Sequence, residues 1–139
     1  MSMTYNRQLP SPHELKEQYP LPAKLGLLKA QRDREIRQVF QGESEKFLVI
    51  VGPCSADRED TVLEYCLRLA ALQEKVGEKL LLVPRVYTNK PRTTGAGYKG
   101  MLHQPSPDKA PDLLGGIIAI RRLHLRVMEE SGLTAADEM

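Results

Sequence analysis

Two short runs along the chain are apolar at every position. The first covers residues 47–51, Phe-Leu-Val-Ile-Val, and the second covers residues 80–83, Leu-Leu-Leu-Val. The strand predicted for the second run continues beyond it, through Pro84 to Tyr87. Neither run alternates between apolar and polar side chains, as a strand with one solvated face does. Continuous apolar runs of this length are typical of parallel sheets, whose strands are covered on both faces. The pattern therefore predicts two parallel strands that are buried on both faces.

Two helices are predicted before the first strand. Residues 11–14, Ser-Pro-His-Glu, have the pattern of a capping box with Pro at the first helical position, so they begin a short helix that ends at residues 20–22. Residues 27–41 are predicted as the second helix, which ends at Gly42. A rough apolar stripe along this helix contains Leu28, Ile36, Val39 and Phe40.

Each strand is followed by a longer helix. Asp57 precedes a helix predicted over about residues 58–76, and Asp112 precedes another that ends at Ser131. We expect both aspartates to be N-caps. One face of the first of these helices carries Val62, Cys66, Leu69 and Ala70. We assign Cys66 a packing role on this face.

The last predicted helix carries several cationic side chains. Arg121, Arg122 and Arg126 are most simply interpreted as a solvated face. His124 lies late in the helix, where a positive charge is favourable because of the helix dipole. The three arginines would also complement the negative end of this helix.

The order of elements is strand, helix, strand, helix and a possible third strand over residues 134–139. Buried parallel strands joined by helical crossovers indicate an α/β fold. The polar residues 42–46 mark the predicted boundary between an N-terminal helical arm, residues 1–45, and the remainder, residues 46–139. Because two strands and a possible third make a poor sheet on their own, we expect the chain to be a piece of a larger α/β domain.

Composition is that of an ordinary globular domain. The chain has 139 residues, of which 41% are hydrophobic and 27% charged, and its net charge is +2. No apolar run approaches the ~20 residues of a membrane span. The first 20 residues lack the apolar stretch of a signal peptide, so we expect a cytoplasmic protein with reduced thiols. Cys54 and Cys66 are then not expected to form a disulfide.

The strongest local feature is a basic stretch after the second strand. Residues 79–107 contain five Lys or Arg residues and no Asp or Glu. Within it, Lys90-Pro91-Arg92-Thr93-Thr94 combines an ammonium, a forked guanidinium and two hydroxyls, and the proline fixes one backbone torsion between the two cations. These groups are suited to a small ligand that carries phosphate or carboxylate.

Two further residues are candidates for the same site. Arg85 interrupts a buried strand, where a charge needs an anionic partner. Either a structural ion pair or a bound anion can supply that partner, and the absence of acidic residues nearby in the sequence favours the anion. Cys54 follows the first strand, at the end where α/β folds place their sites. Its thiol is either a metal ligand, a nucleophile or a small buried apolar group.

Residues 95–100 match the glycine pattern G-x-G-x-x-G of dinucleotide-binding loops. In those proteins the pattern forms a tight turn from a strand into a helix. Here it begins several residues after the strand and leads to Pro105 and Pro107 instead of a helix. We therefore reject a dinucleotide site and predict that the glycines let a substrate-binding loop bend or approach a ligand closely.

Four motifs occur in order: Gly-Pro-Cys-Ser at 52–55, Pro-Arg-Val-Tyr at 84–87, Lys-Pro-Arg-Thr-Thr at 90–94 and Gly-Tyr-Lys-Gly at 97–100. Together they resemble the amino-terminal part of class I 3-deoxy-D-arabino-heptulosonate 7-phosphate (DAHP) synthases. The arm at residues 10–16 and the final segment from Gly132 to Glu138 are also similar. The resemblance covers nearly the whole chain.

The resemblance implies a (β/α)8 TIM barrel, a divalent metal and a reaction. Members of the family condense phosphoenolpyruvate with erythrose 4-phosphate and release inorganic phosphate, which is the first step of the shikimate route to aromatic amino acids. The resemblance implies homo-oligomers, and no nucleic-acid or membrane partner is expected. It does not name the metal.

The resemblance also implies roles for individual residues. Cys54 corresponds to a thiolate metal ligand. Arg85 and Lys90 correspond to residues that hold phosphoenolpyruvate at the catalytic centre, and Arg92 and Thr93, with Pro91 between the cations, correspond to residues that bind erythrose 4-phosphate. Glu138 matches a family position at the end of the third strand.

This chain differs from the family in length, because family members are about twice as long, the size of a whole barrel. It is expected to hold the first two βα units and a third strand of an incomplete barrel, without the remaining metal ligands. We therefore expect it to be inactive alone. The alternatives are a non-catalytic fragment that associates with a complete synthase or a complementing half, and an unrelated small anion-binding module.

Overall fold

The computed structural model describes residues 7–90, 92 and 95–137. Pro91, Thr93 and Glu138, for which the sequence predicts roles, lie outside the described residues. The described part contains four helices and three strands: α1 (Pro12–Gln18), α2 (Ala23–Phe40), β1 (Phe47–Val51), α3 (Glu59–Val76), β2 (Leu80–Val86), α4 (Leu113–Ser131) and β3 (Ala136–Asp137). Within it, no helix combines the length and the apolar character needed to cross a membrane.

The three strands form one parallel sheet in the order β1-β2-β3. Phe47 of β1 pairs with Leu80 of β2, and Arg85 of β2 pairs with Ala136 of β3. Each strand is joined to the next by a crossover that contains one helix, α3 or α4. This arrangement confirms the predicted α/β class and brings the carboxyl ends of β1 and β2 to the same edge of the sheet.

The four predicted helix starts can be compared with the structure. Ser11 and Glu14 form the predicted capping box of α1, and the Asp112 carboxylate accepts a hydrogen bond from the Gly115 amide at 3.0 Å at the start of α4. The predicted cap at Asp57 is wrong, because α3 begins at Glu59 and its N-cap is Arg58. Helix α2 starts at Ala23, directly after a proline and before the predicted residue 27.

The hydrophobic core lies where α3 and α4 pack beside β2. Its largest cluster contains Ala56, Val62, Leu63, Cys66, Val86, Met101, Leu123 and Val127. Cys66 is fully buried there, so its predicted packing role is confirmed, and both cysteines are free thiols. A second cluster of Leu69, Leu82 and Leu133 extends the core under the sheet.

Strand β1 differs from its prediction. Phe47 is 75% exposed and Ile50 is 55% exposed, so β1 is not buried on both faces. The reason is its position, since β1 is an edge strand and, within the described residues, pairs only with β2. The apolar run identified the strand but not the neighbours that it has in this chain.

Side chains from two helices tie the N-terminal arm to the remainder. The guanidinium of Arg32 in α2 is buried and donates to the Leu82 carbonyl at 2.7 Å. Arg121 in α4 donates two hydrogen bonds, of 3.0 and 2.9 Å, to the Tyr19 carbonyl. The predicted solvated role is therefore wrong for Arg121, whereas Arg126 is half exposed and pairs with Glu59 and Glu130.

Two helical glycines provide a test of this packing. A Cβ at Gly116 of α4 would lie 1.9 Å from the Leu102 carbonyl oxygen, whereas a Cβ at Gly26 of α2 would meet only the tip of Leu21 at 3.9 Å. We expect Gly116→Ala to lower the free energy of unfolding by about 1–3 kcal/mol because of overpacking. Gly26→Ala should raise it by about 0.5–1 kcal/mol because alanine favours helix. Denaturant unfolding followed by circular dichroism measures both, and equal effects of the two substitutions would contradict this packing.

Candidate functional site

The carboxyl ends of β1 and β2 approach each other more closely than most side chains allow. A Cβ added to Gly52, the first residue after β1, would lie 1.9 Å from the carbonyl oxygen of Arg85 and 2.9 Å from its Cβ. Only glycine fits this contact without a shift of the backbone. The loop that carries Cys54 is therefore packed directly against the end of β2.

Lys90 reaches back from the loop after β2 to Cys54. Its ammonium donates to the Cys54 carbonyl at 2.9 Å and also donates to the Cys54 thiol. This hydrogen bond, followed by the positive charge of Lys90, holds the pKa of the Cys54 thiol below its usual range. Cys54 is exposed, so the interpretation as a buried apolar residue is wrong.

Arg85 and Lys90 both place their cations over one aromatic ring. The guanidinium carbon of Arg85 is 4.8 Å from the centroid of the Tyr87 ring, and the Lys90 ammonium is 5.6 Å from it. Arg85 also donates to the Pro53 carbonyl at 2.9 Å. Cations at these distances are attracted by the negative face of the ring, so Tyr87 helps to hold two positive charges near each other.

Arg92 lies in a loop that folds back toward the sheet. Its Nε donates to the Tyr98 carbonyl at 2.9 Å, and the Tyr98 hydroxyl donates toward the carbonyls of Gln104, at 3.1 Å, and Ala56, at 3.3 Å. Burial raises the pKa of Tyr98 to about 12, so its hydroxyl keeps its proton at neutral pH. Tyr98 thereby fixes the loop segment that supports Arg92 to the residues just after Cys54.

The glycine-rich segment 95–100 belongs to this returning loop. The Lys90 amide donates to the Lys99 carbonyl at 2.9 Å, and the Leu102 amide donates to the Thr88 carbonyl at 3.0 Å. No helix follows Gly100 directly, since the next helix, α4, begins at Leu113. The segment therefore lacks the strand-to-helix turn of a dinucleotide-binding loop, as predicted.

The structure brings together three of the residues that the sequence singled out. Cys54, Arg85 and Lys90 meet at the carboxyl ends of β1 and β2, and Arg92 lies on the adjoining loop. Sequence reasoning did not predict the roles of Tyr87 and Tyr98. Their signal was an aromatic ring next to basic residues in a chain whose aromatic content is only 5%.

Cys54 fits one position of a divalent-metal site. A thiolate is the form of cysteine that binds soft divalent metals, and the lowered pKa of Cys54 favours that form. Across residues 7–90, 92 and 95–137, no group of three or more His, Cys, Asp or Glu side chains is arranged to hold an ion. Cys54 is thus a candidate ligand, and the described residues around it do not form a complete ligand set.

Comparison with known proteins identifies the family. The model of the DAHP synthetase I family matches residues 17–113, which include Cys54, Arg85, Lys90 and Arg92. The chain belongs to this family. It is 36% identical over 136 residues to the Tyr-sensitive phospho-2-dehydro-3-deoxyheptonate aldolase of Escherichia coli K12, a match that covers 98% of this chain and 38% of the relative.

Other members of the family give the same coverage. The phospho-2-dehydro-3-deoxyheptonate aldolase of Haemophilus influenzae is 34% identical over 94% of this chain and 36% of its own length. The solved structure of the Francisella tularensis aldolase superposes with a TM-score of 0.88 at 27% identity, covering 99% of this chain and 40% of that one. This DAHP synthetase I chain therefore spans no more than two fifths of the relatives that it matches here.

The contact between Lys90 and Cys54 makes a testable prediction. Lys90→Met removes the hydrogen bond and the charge that lower the thiol pKa, so alkylation of Cys54 by iodoacetamide should require higher pH than in the wild type. Mass spectrometry of the modified cysteine over a pH series measures this shift. Cys66, whose pKa burial raises to about 11, is the internal control and should stay unreactive near neutral pH. Identical profiles for Cys54 in both proteins would contradict the contact.

Proposed function

We propose that this chain contributes part of the site at which phosphoenolpyruvate condenses with erythrose 4-phosphate to form DAHP and inorganic phosphate. The convergence of Arg85 and Lys90 beside Tyr87 and Cys54 carries the proposal. Both substrates are phosphorylated, and the cations of the site come from a stretch of the sequence without acidic residues. Membership of the DAHP synthetase I family supports this choice among possible anions.

The two cations nearest the sheet suit phosphoenolpyruvate. The guanidinium of Arg85 offers a planar pair of N–H donors that matches a phosphate or carboxylate, and Lys90 offers a point charge. The contact with the Tyr87 ring restrains both side chains before any ligand arrives. Such preorganisation lowers the entropic cost of binding. Arg85 and Lys90 are therefore assigned to hold phosphoenolpyruvate.

The loop beyond Lys90 is assigned to the second substrate. Arg92 and Thr93 would bind erythrose 4-phosphate, with Pro91 limiting how far the loop turns between the two cations. The Tyr98 carbonyl accepts from Nε of Arg92 at 2.9 Å, so within the described residues the two terminal guanidinium nitrogens remain for a phosphate. Cys54 would be one ligand of a divalent metal, which, when bound, polarises the aldehyde of erythrose 4-phosphate as a Lewis acid.

We also propose the architecture around this site. The parallel order β1-β2-β3 with helical crossovers is that of the opening units of a (β/α)8 barrel, which residues 46–139 would begin and residues 1–45 would flank as an arm for contacts between copies in a homo-oligomer. A quarter of a barrel with one thiolate ligand does not provide a complete catalytic centre. We therefore expect the 139-residue chain to show no turnover by itself.

Binding of phosphoenolpyruvate tests the assignment directly. We expect the folded chain to bind phosphoenolpyruvate in the presence of Mn²⁺, and Arg85→Ala to weaken that binding at least about tenfold because a charge-assisted hydrogen bond is lost. Isothermal calorimetry measures the affinity, and circular dichroism on the same samples reports folding. Arg68→Ala is the matched control, because Arg68 is an exposed arginine of α3 that pairs with Glu64. Equal affinities of the Arg85→Ala and Arg68→Ala variants would contradict the proposal.

A second candidate is a non-catalytic role in which the chain associates with a complete synthase or a complementing half. The observation that favours it is the exposure of β1, where Phe47 and Val51 on one face and Ile50 on the other are exposed to solvent. An edge strand with unpaired backbone groups and apolar side chains is a template for another strand. A partner that supplies the strand beside β1 would cover these side chains.

Complementation distinguishes this candidate. We expect the chain to form a complex with the segment of the Escherichia coli Tyr-sensitive aldolase that lies beyond the matched part, as measured by size-exclusion chromatography. Ile50→Lys should prevent the complex, since it places a charge on the exposed strand, whereas Leu67→Lys on the half-exposed surface of α3 should not. Release of inorganic phosphate from phosphoenolpyruvate, dependent on erythrose 4-phosphate, in the mixture would indicate a restored site. Failure of the wild-type chain to form a complex would exclude association through β1.

A further inference from the structure

The carboxylate of Asp137 joins three elements that are far apart in the sequence. One oxygen accepts a hydrogen bond from the Thr88 amide at 3.0 Å, and the other accepts from the Thr88 hydroxyl at 2.6 Å. The ring Nε2 of His124 lies 3.0 Å from that second oxygen. Thr88 follows β2, His124 lies in α4, and Asp137 ends the described part of β3.

This network is enclosed in the protein. The Asp137 side chain is 10% exposed, the His124 side chain is 26% exposed, and Thr88 is fully buried. Hydrogen bonds to a carboxylate are stronger than those between neutral groups, and a buried donor that loses its acceptor is costly. The three side chains are therefore held in one arrangement instead of sampling several.

Thr88 controls the exit of the chain from β2 toward the proposed anion site. Its amide and hydroxyl bind Asp137, while its carbonyl accepts the Leu102 amide at 3.0 Å. Lys90 is only two residues further on, and its own amide donates a hydrogen bond to the Lys99 carbonyl in the returning segment of the same loop. The direction in which Lys90 leaves the sheet thus depends on how Thr88 is anchored.

We propose that Asp137 is a positioning residue for Lys90. It holds Thr88 through two hydrogen bonds, His124 helps to orient its carboxylate through the oxygen that also accepts the Thr88 hydroxyl, and the anchored Thr88 fixes the loop that presents the Lys90 ammonium. The position of Lys90 stands on this geometry alone, whereas its consequence for phosphoenolpyruvate rests on the proposed function. Asp137 acts through Thr88, so it is not assigned to the reacting atoms.

Amide hydrogen exchange tests the anchoring independently of any ligand. In Asp137→Ala, exchange of the Thr88 and Lys90 amides should become at least about tenfold faster relative to that of the Leu82 amide in the core part of β2. Leu69→Ala is the control for general destabilisation, because Leu69 packs with Leu82 in the second core cluster. This control substitution should speed exchange of the Leu82 amide without raising the ratio of the Thr88 exchange rate to the Leu82 exchange rate. NMR of the 139-residue chain measures these rates.

Substitutions of Thr88 separate the hydroxyl from the rest of the side chain. Thr88→Ser keeps the hydroxyl that donates to Asp137, so the Lys90 amide should exchange at the wild-type rate. Thr88→Val has nearly the same shape but lacks the hydroxyl, so the Lys90 amide should exchange faster. Calorimetry with phosphoenolpyruvate and Mn²⁺ should show affinity about tenfold lower in Asp137→Ala and retained in Thr88→Ser.

The outcomes are distinct for the two proposals. An unchanged exchange ratio in Asp137→Ala overturns the anchoring, whatever the chain binds. If the wild-type chain binds phosphoenolpyruvate, and Asp137→Ala exchanges faster but binds it with unchanged affinity, the positioning of Lys90 for that ligand is overturned. If Asp137→Ala exchanges faster but the wild-type chain binds no phosphoenolpyruvate, the result supports the anchoring of the Lys90 loop and counts against the proposed function.

Discussion

The close contact between the end of β1 and the end of β2 is the constraint on which the site depends. Parallel pairing from Phe47 and Leu80 onward carries both strands to the same edge of the sheet, and the absence of a side chain at Gly52 lets the next loop lie against the Arg85 backbone. Cys54 is thereby brought within reach of Lys90, although 36 residues separate them in the sequence. A side chain at Gly52 would push the two loops apart.

Positive charge is concentrated at the carboxyl ends of β1 and β2, which this contact holds together. Two cations are held on the ring of Tyr87, and a third is held by the Tyr98 carbonyl. Like charges that are kept close together repel one another, so their proximity is favourable only when hydrogen bonds, aromatic contacts or an anion compensate. The structure supplies the first two, and a phosphorylated ligand would supply the third.

Much of this part of the structure could be predicted from the sequence, because the patterns that indicate it are local. Continuous apolar runs indicate parallel strands, carboxyl ends of parallel strands lie together, and Cys54 and Arg85 stand at two such ends. The α4 cap at Asp112 was likewise predictable, since a capping side chain bonds to an amide three residues away. The cap at Asp57 failed because the helix begins one residue later than its pattern suggests.

Features that depend on distant contacts were not predictable. The exposure of β1 follows from its position at the edge of the sheet. The residues of the apolar run do not indicate which strands will lie beside it. Arg121 was interpreted as solvated because its partner, the Tyr19 carbonyl, is a backbone group 102 residues away. Asp137 and Thr88 are 49 residues apart, and neither residue type has a spacing signal for the bond between them.

Amide NMR of the chain during titration with phosphoenolpyruvate and the diamagnetic ion Zn²⁺ tests the central claim most directly, which is that the carboxyl ends of β1 and β2 form one anion site. The account predicts saturable shifts at Cys54, at residues 85–90 and at Tyr98. Lys46 and Lys79, at the opposite ends of the strands, should not shift, because general attraction to positive charge is not sufficient. Shifts of equal size at those lysines, or none at Cys54 and residues 85–90, would contradict it.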